Sequence, residues 1–424
     1  MPAGISVPVG ENGIAIRKIN PETGTLAFPA RKAGADLTRV PAKRGCCCTN
    51  PASAVHRTAI EELFAAADIA IDGKRAWDIR VHNPDFFRRV LANGTLGMGE
   101  SYMEGWWDCD ALDEMSCHAA RVRLEDLLPG KKRAMLAALL ARASFNPQSR
   151  QRARVVGEKH YDLGNDFFAA MLDPAMQYSC GYFRGTADLE TAQRQKMDLI
   201  CRKLGLRPGM RLLDIGCGWG GFARHAAEHC GCDVTGVTIS GQQCAHAQEA
   251  CRGLSVKIRL QDYRDVNEHF DRIVSVGMME HVGARNYRHY MECAARCLRS
   301  DGLFLCHTIC GSATHERADP WIIRYIFPNS ELPSAALVAR AADGIFLIED
   351  VHNFGAYYDP TLMAWERNFQ AAWPQFRDRY GDRFHRMWRY YLLGCAGAFR
   401  ARSLHLFQFV LSKGGVPGGY EAVR

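Results

Sequence analysis

Two hydrophobic periods divide the chain. Between about His56 and Asn93, apolar residues recur at spacings of three and four. Ile60, Leu63, Phe64 and Ala67 form one such stripe and Phe86, Phe87, Val90 and Leu91 the next, as on helices with one buried face. Asn83-Pro84-Asp85 opens the second helix with proline in its first turn, and Asn93-Gly94 is expected to end it. Tyr102, Trp106 and Trp107 make a dense aromatic knot, read as core or interface, and 131–145 reads as a basic, Ala/Leu-rich helix. Further on the period changes. Short branched runs near 211–216, 233–239, 256–261, 271–277 and 303–309 alternate with helical stretches at 191–204, 220–229, 241–252 and 286–298. This alternation predicts an α/β doubly wound sheet. Strand-like runs at 344–351 and 403–411, separated by helices around 361–372 and 383–400, add a late hairpin to an otherwise parallel sheet. The expected organisation is a loose Gly/Pro/Ala-rich extension over 1–55, a small helical domain over 56–145, a linker near 146–157 and the α/β domain over 158–424.

Composition narrows the class. A chain of 424 residues, 47% hydrophobic and 23% charged, is ordinary for a soluble globular protein with a large core. No apolar run approaches the roughly 20 residues of a spanning helix, and the N-terminus lacks the order of a secretory signal, so a cytoplasmic location is expected. The 17 cysteines are accordingly read as reduced thiols. Cys46, Cys47 and Cys48 are adjacent and cannot space themselves as metal ligands. His225, His229, Cys230 and Cys232 outline a zinc site that is set aside, because their helix must also pack on the sheet, and no metal is expected. A net charge of +7 is too mild to mark a nucleic-acid binder. It is concentrated between Lys131 and Lys159, where eight Lys or Arg residues face the single acid Glu158. Such runs are usually solvated faces, although an anionic bilayer would reward each close cation by ~1 kcal/mol.

The candidate chemistry begins at Arg211-Leu-Leu-Asp-Ile-Gly-Cys-Gly-Trp-Gly-Gly221, a buried strand entering a glycine turn that a helix follows. Its glycines let a ligand approach the backbone, so a cofactor with an adenosine part is expected. Gly216, Gly218 and Gly221 also satisfy the dinucleotide pattern. A dinucleotide site, however, needs an acid at the end of the second strand, and Thr235-Gly-Val-Thr-Ile-Ser240 has none. Asp214 fits instead near the cationic methionine part of S-adenosylmethionine (SAM), and the late hairpin is the methyltransferase variant of the sheet. Beyond the strand ends lie Glu280, after the fourth strand, and His307, expected to end the fifth. Together beside a SAM turn they outline an acid–base group.

Lys159-His-Tyr-Asp-Leu-Gly-Asn-Asp166, Gln177-Tyr-Ser-Cys180, Leu213 to Gly221, Gly277-Met-Met-Glu-His281, His307-Thr-Ile309 and Thr361-Leu-Met-Ala-Trp365 resemble the SAM-dependent cyclopropane synthase family. Asn83-Pro-Asp-Phe-Phe87 and Gly99-Glu-Ser-Tyr-Met-Glu-Gly-Trp-Trp107 resemble its bacterial, full-length, phospholipid-directed form. The resemblance runs from about 56 to the C-terminus and implies a Rossmann-like class I methyltransferase sheet. It implies transfer of the SAM methyl to a cis double bond of an acyl chain esterified in a phospholipid. The alkene attacks the methyl and leaves a carbocation. Bicarbonate then removes a proton from the new methyl, and the ring closes. Glu280, His307 and Tyr358 would hold the bicarbonate by side chains, with the backbone at Cys180 and Ile309, and no covalent role falls to Cys180. Tyr178, Ser179, Asp214, Gly216, Gly218, Thr238, Ile239 and Gln243 would contact SAM, with Asp262 and Tyr263 near adenine and Gln243 replacing the missing acid.

For the acyl tunnel, Trp321, Tyr325, Ile326, Phe327 and Pro328 are candidates for wall or lid, with ordinary core the equal reading of each. The segment 376–402, with seven arginines among aromatics, reads as an amphipathic helix of the fold, with lipid contact open. The implied partners are unsaturated phospholipids at the inner face of the cell membrane and a second copy in a homodimer, without nucleic acid. The helical domain would serve lipid or dimer contacts. A related lipid methyltransferase giving methyl or methylene branches, and a non-catalytic SAM- or nucleotide-binding membrane-surface protein, are the alternative readings.

Overall fold

A computed structural model describes residues 51–124, 163–314 and 319–424. The stretch up to residue 50, the expected basic helix 131–145, the linker and the cation run Lys131–Lys159 lie outside the described residues. Helix α1 spans Pro51–Ala65, so helical structure begins before His56. Helix α2 spans Asp85–Met103 and does not end at Asn93-Gly94: the chain breaks direction at Gly94 (φ 57°, ψ −134°) and resumes helix as far as Met103. The dipeptide therefore marks a kink. Strands β1 (Arg80–Val81) and β2 (Trp107–Asp108) pair antiparallel, and α3 spans Leu112–Arg121. Trp107 is fully buried, its Nε1 donating to Met98 O and Ser101 Oγ at 3.1 Å each, which makes the aromatic knot part of the core.

A seven-stranded sheet follows. Its strands are β3 (Arg211–Ile215), β4 (Asp233–Thr238), β5 (Val256–Leu260), β6 (Phe270–Val276), β7 (Leu298–Gly311), β8 (Leu347–Asn353) and β9 (Leu404–Ser412), in the order β5-β4-β3-β6-β7-β9-β8. The first five strands in that order are mutually parallel, and β9 runs antiparallel to both β7 and β8. The late strands thus pair as expected, with β9 inserted between β7 and β8. His307 does not end the fifth strand. β7 continues to Gly311 because it stays in register with β9 as far as Leu404.

Helices α4 (Asn165–Met171), α5 (Leu189–Leu204), α6 (Gly221–Cys230), α7 (Gly241–Ala250), α8 (Tyr287–Cys297), α9 (Pro320–Tyr325) and α10 (Ala335–Ala342) surround the sheet. Caps set the ends of several. Asp188 accepts from Thr191 N at 2.8 Å to start α5, Gly205 (φ 55°) stops it, and Ser240 accepts from Gln243 N to start α7. The two helices expected at 361–372 and 383–400 are one long element, α11 (Tyr358–Arg400), broken only at Gly381 (φ 73°, ψ 165°).

α11 joins the N-terminal helices to the sheet. At Gly397 a Cβ would lie 2.3 Å from Asp113 O, so α3 can lie against α11 only over glycine. Arg400 pairs with Asp113 at 2.8 Å and Asp359 at 2.9 Å, and Arg386 reaches the carbonyls of Tyr102 and Trp107. With Arg379–Asp166, Arg389–Glu366 and Arg377–Asp382, these contacts make five of the seven interleaved arginines of this segment ties within the fold. Among the described residues, no helix is long and apolar enough to cross a membrane. The described cysteines are free thiols, and His225 is bound to Asp198 at 2.8 Å.

Candidate active site

β3 enters the glycine turn with Leu212 through Ile215 buried. The N–H groups of Gly216 and Cys217 both donate to Val237 O, at 2.9 and 3.0 Å, which folds the turn back onto β4. Gly216, Gly218 and Gly220 all take left-handed φ (80°, 54° and 85°), a conformation costly for any side chain bearing Cβ. Gly221 has ordinary φ but no room: a Cβ there would sit 1.9 Å from Ala175 O.

A cavity of about 200 Å³ opens above this turn, at the carboxyl ends of the strands. Tyr178, Ser179, Asp214, Gly216, Gly218, Thr238, Ile239, Gln243 and Tyr263 line it, as do Phe327 and Pro328. Asp262 is not in its wall. It binds Arg264 at 2.6 Å and caps the Arg264 N–H, so its carboxylate already has a partner. At the far end Thr238 Oγ1 donates to Gln243 Oε1 at 3.0 Å, which fixes the amide where a dinucleotide site would carry an acid. Buried Asp214 fits a cationic ligand. Burial pushes its carboxyl up to about 7, with the Lys196 charge opposing, and Oδ2 has no hydrogen-bond partner among the described residues. A sulfonium-bearing cofactor would supply the missing charge.

One wall is the strap Gln177–Ser179, held from α5. Gln193 Nε2 donates to Ser179 O at 2.7 Å, and Lys196 Nζ donates to Gln177 Oε1 at 2.6 Å and Ser179 Oγ at 2.7 Å. Asp173 anchors its start, accepting from Gln177 N at 2.8 Å. Sequence reasoning assigned no role to Lys196 or Gln193. Their signal was position: both fall on the apolar face of α5, at spacings otherwise filled by Ala192, Leu199 and Ile200.

Behind the cavity sits a second, drier group, none of whose members is in the cavity wall. Glu280 follows β6, between cavity-lining Met278 and His281. Its Oε1 accepts from Ile309 N at 2.6 Å, and burial pushes its carboxyl up to about 7. The Ile309 N–H is therefore engaged by Glu280. His307 is fully buried, with Nδ1 3.2 Å from Gln408 Nε2. Burial, with the Lys196 and Lys203 charges adding to it, holds this imidazole neutral, well below the usual histidine range. Tyr358 stacks on Phe399 with centroids 4.4 Å apart, and burial raises its phenol well above the ordinary value. Cys180 and Glu280 are among the groups whose charge acts on it, which sets Tyr358 near both. Burial also drives the Cys180 thiol up, with Thr361 beside it, leaving a protonated thiol unsuited to nucleophilic attack. Among the described residues, Glu280 Oε2, His307 Nε2 and Trp365 Nε1 are buried without hydrogen-bond partners. Acceptor and donors are thus left for a small polar ligand in an aromatic surround.

The other candidates separate. Trp321 packs on Tyr390 (4.7 Å) and against Gly99, and Tyr325 OH donates to Glu100 at 2.9 Å, so these two brace α9 on α2. Ile326 is core. His281, to which the sequence alone gave no role, lines the cavity edge-on to Phe327, held neutral by burial with its pKa lowered to about 4.

Residues 148–409 match the family described as mycolic acid cyclopropane synthetase. The chain is 54% identical over 363 residues to the cyclopropane-fatty-acyl-phospholipid synthase of Escherichia coli (strain K12), covering 86% of this chain and 94% of that protein. It is 37% identical over 275 residues to cyclopropane mycolic acid synthase 1 of Mycobacterium tuberculosis, covering 60% and 96%. Among solved structures, the cyclopropane synthase MmaA2 from Mycobacterium tuberculosis aligns with TM-score 0.58 and 34% identity over 61% of this chain and 98% of that one. The mycolic acid cyclopropane synthase CmaA1, complexed with SAH and CTAB, aligns with TM-score 0.57 and 37% identity over the same shares. The sheet order, the SAM-type cavity and these matches agree, and the chain belongs to the cyclopropane synthase family of SAM-dependent methyltransferases.

Proposed function

We propose that the chain converts cis double bonds of phospholipid acyl chains into cyclopropane rings, using SAM as the one-carbon donor and bicarbonate as the base. The observation that carries this reading is that, among the described residues, the buried Glu280 Oε2 and the buried Nε2 of a neutral His307 both lack hydrogen-bond partners. SAM supplies an electrophilic methyl, and bicarbonate supplies a small base for a proton of that methyl after transfer. Asp214 and the strap Tyr178–Ser179 bind and orient the donor, with Gly216, Gly218, Thr238, Ile239, Gln243 and Tyr263 around it. His307 Nε2–H and Tyr358 OH would donate hydrogen bonds to the anion, and Glu280 Oε2 would accept one from its hydroxyl. Ile309 N–H fixes Glu280 from behind. Cys180 closes the pocket as an unionised thiol, and the aromatic surround keeps water from the cation developing on the acyl chain.

The same reading has the protein working as a peripheral homodimer at the inner face of the cell membrane, its N-terminal helical part serving lipid or dimer contacts. Purified protein given SAM, bicarbonate and vesicles of unsaturated phospholipid should add one methylene per modified chain. Its binding to anionic vesicles should weaken as salt rises. Bound protein that leaves the lipid mass unchanged would overturn the reading.

Asp214 gives a separate expectation. Its carboxyl, raised to about 7, keeps more protons in the ligand-free fold than in the unfolded chain between about pH 4 and 7. Its contribution to stability therefore falls as pH rises through that window. A cation bound beside it favours the carboxylate, so SAM binding near pH 6.5 should release a proton. Calorimetry in buffers of different ionisation enthalpy reads this release directly, and Asp214→Asn should abolish it. Equal proton counts for the two proteins would contradict the placement of the cation.

A further inference from the structure

Gln408 sits in the middle of β9, flanked in sequence by Phe407 and Phe409, and is fully buried. A primary amide there is costly unless it is bonded, and any apolar residue would fill the space more cheaply. Its register explains its presence. Gln408 is the cross-strand partner of His307 on β7 and of His352 on β8, so the three side chains share one face of the sheet. Its Nε2 lies 3.2 Å from His307 Nδ1, while Oε1 has no hydrogen-bond partner among the described residues. At the outer end of the row Lys203 Nζ lies 3.2 Å from His352 Nδ1 and 3.3 Å from Asp350. An ammonium can only donate, so His352 Nδ1 accepts and its ring proton sits on Nε2.

We infer that Gln408 is a positioning residue: by donating to Nδ1 it holds His307 in the Nε2–H tautomer and so aims an N–H at the pocket shared with Glu280. The inference rests on the proposed reading, in which that pocket receives an anion. The opposite tautomer would turn an imidazole lone pair toward Glu280 and toward the anion, and both are acceptors. His307 alone cannot prevent this, because a neutral imidazole exchanges its proton between the two nitrogens and only the partner of one fixes the other. The donor amide in register across the strand removes the choice. Burial, with the charges of Lys196 and Lys203 adding to it, keeps His307 from gaining a second proton.

Glutamate at 408 would offer an acceptor in place of the donor. In full-length protein carrying ¹³C,¹⁵N-labelled histidine, the His307 signals are assigned by their loss in His307→Asn. The wild type should show the Nε2–H tautomer, and Gln408→Glu should show Nδ1–H or a doubly protonated ring. Turnover of Gln408→Glu should fall about 10²-fold or more, the scale seen when a catalytic imidazole or ligand loses its orienting partner. SAM affinity should stay within about threefold, since Gln408 is not in the cavity wall. Gln408→Met, which offers neither donor nor acceptor, should show mixed tautomers and an intermediate loss. An Nδ1–H ring in the wild type, or an unchanged Nε2–H ring in Gln408→Glu, overturns the inference. Should Gln408→Glu fail to fold, the wild-type and Gln408→Met spectra decide. The tautomer is read without lipid or bicarbonate, so a wild type with the expected ring but no cyclopropane product would refute the function and leave the positioning role standing.

Discussion

Glu280→Gln should lower turnover by about 10²–10³-fold, the usual cost of removing one preorganised polar group from a dry site. SAM affinity should be unchanged. The substitution keeps shape and keeps an oxygen for the Ile309 N–H, now held by Glu280 Oε1 at 2.6 Å. It removes the acceptor Oε2, which is buried without a partner among the described residues, and puts an N–H donor in its place. Two donors then meet where the anion's hydroxyl needs an acceptor. Stability should move the other way. The Glu280 carboxyl is raised to about 7 by burial, so its ionisation opposes folding at higher pH, and the neutral amide escapes that penalty. The expected signature is a melting temperature equal to or above wild type at pH 8, an inactive enzyme and an unaltered SAM titration. Activity within threefold of wild type would remove Glu280 from the chemistry. A simultaneous loss of SAM binding would make its role structural.

Gly221→Ala should be the most damaging single methyl in the cofactor turn. The new Cβ would lie 1.9 Å from Ala175 O and 2.5 Å from Gln177 Nε2. The first clash is with backbone, so no rotamer relieves it; either the start of α6 or the strap before Gln177 must shift. Overpacking of this kind costs about 1–3 kcal/mol. Because the strap carries Tyr178 and Ser179 into the cavity, relief by moving it weakens SAM binding by about 10–100-fold, the same energy expressed as affinity. Gly218→Ala is the control. Gly218 has left-handed φ but nothing within 4 Å of a Cβ, so its cost is backbone strain of about 1–2 kcal/mol without any steric clash. Thermal melts should rank Gly221→Ala below Gly218→Ala. The reverse order would mean that the strap yields easily and does not brace the turn.

The sheet was legible because its strands are buried branched runs punctuated by glycine and polar turns, a signal that tertiary context seldom reverses. What misled was local punctuation. Gly94 and Gly381 look like helix ends, yet each is a single left-handed residue with helix on both sides. β7 outran expectation because its length depends on β9, about a hundred residues away, and His307 consequently lies inside a strand. The glycine turn and Asp214 could be placed from sequence, since backbone access and charge are properties of residue type. Asp262, expected near adenine, has no such mark, since its partner Arg264 satisfies it just as well as a cofactor would. Least visible were Gln193, Lys196, Lys203 and Gln408. Each is a polar residue at core spacing, and a single sequence gives such positions no mark separating a buried brace from a solvated side chain.

The central claim is that the methyl loses a proton to a base and closes a ring. SAM carrying a fully deuterated methyl tests it on vesicles of cis-unsaturated phospholipid. The product should carry CD₂, one deuteron having been lost, and should resist mild hydrogenation that saturates alkenes. A product that retains CD₃, or one carrying CD₂ that takes up hydrogen under those conditions, would show a methyl or methylene branch and contradict ring closure.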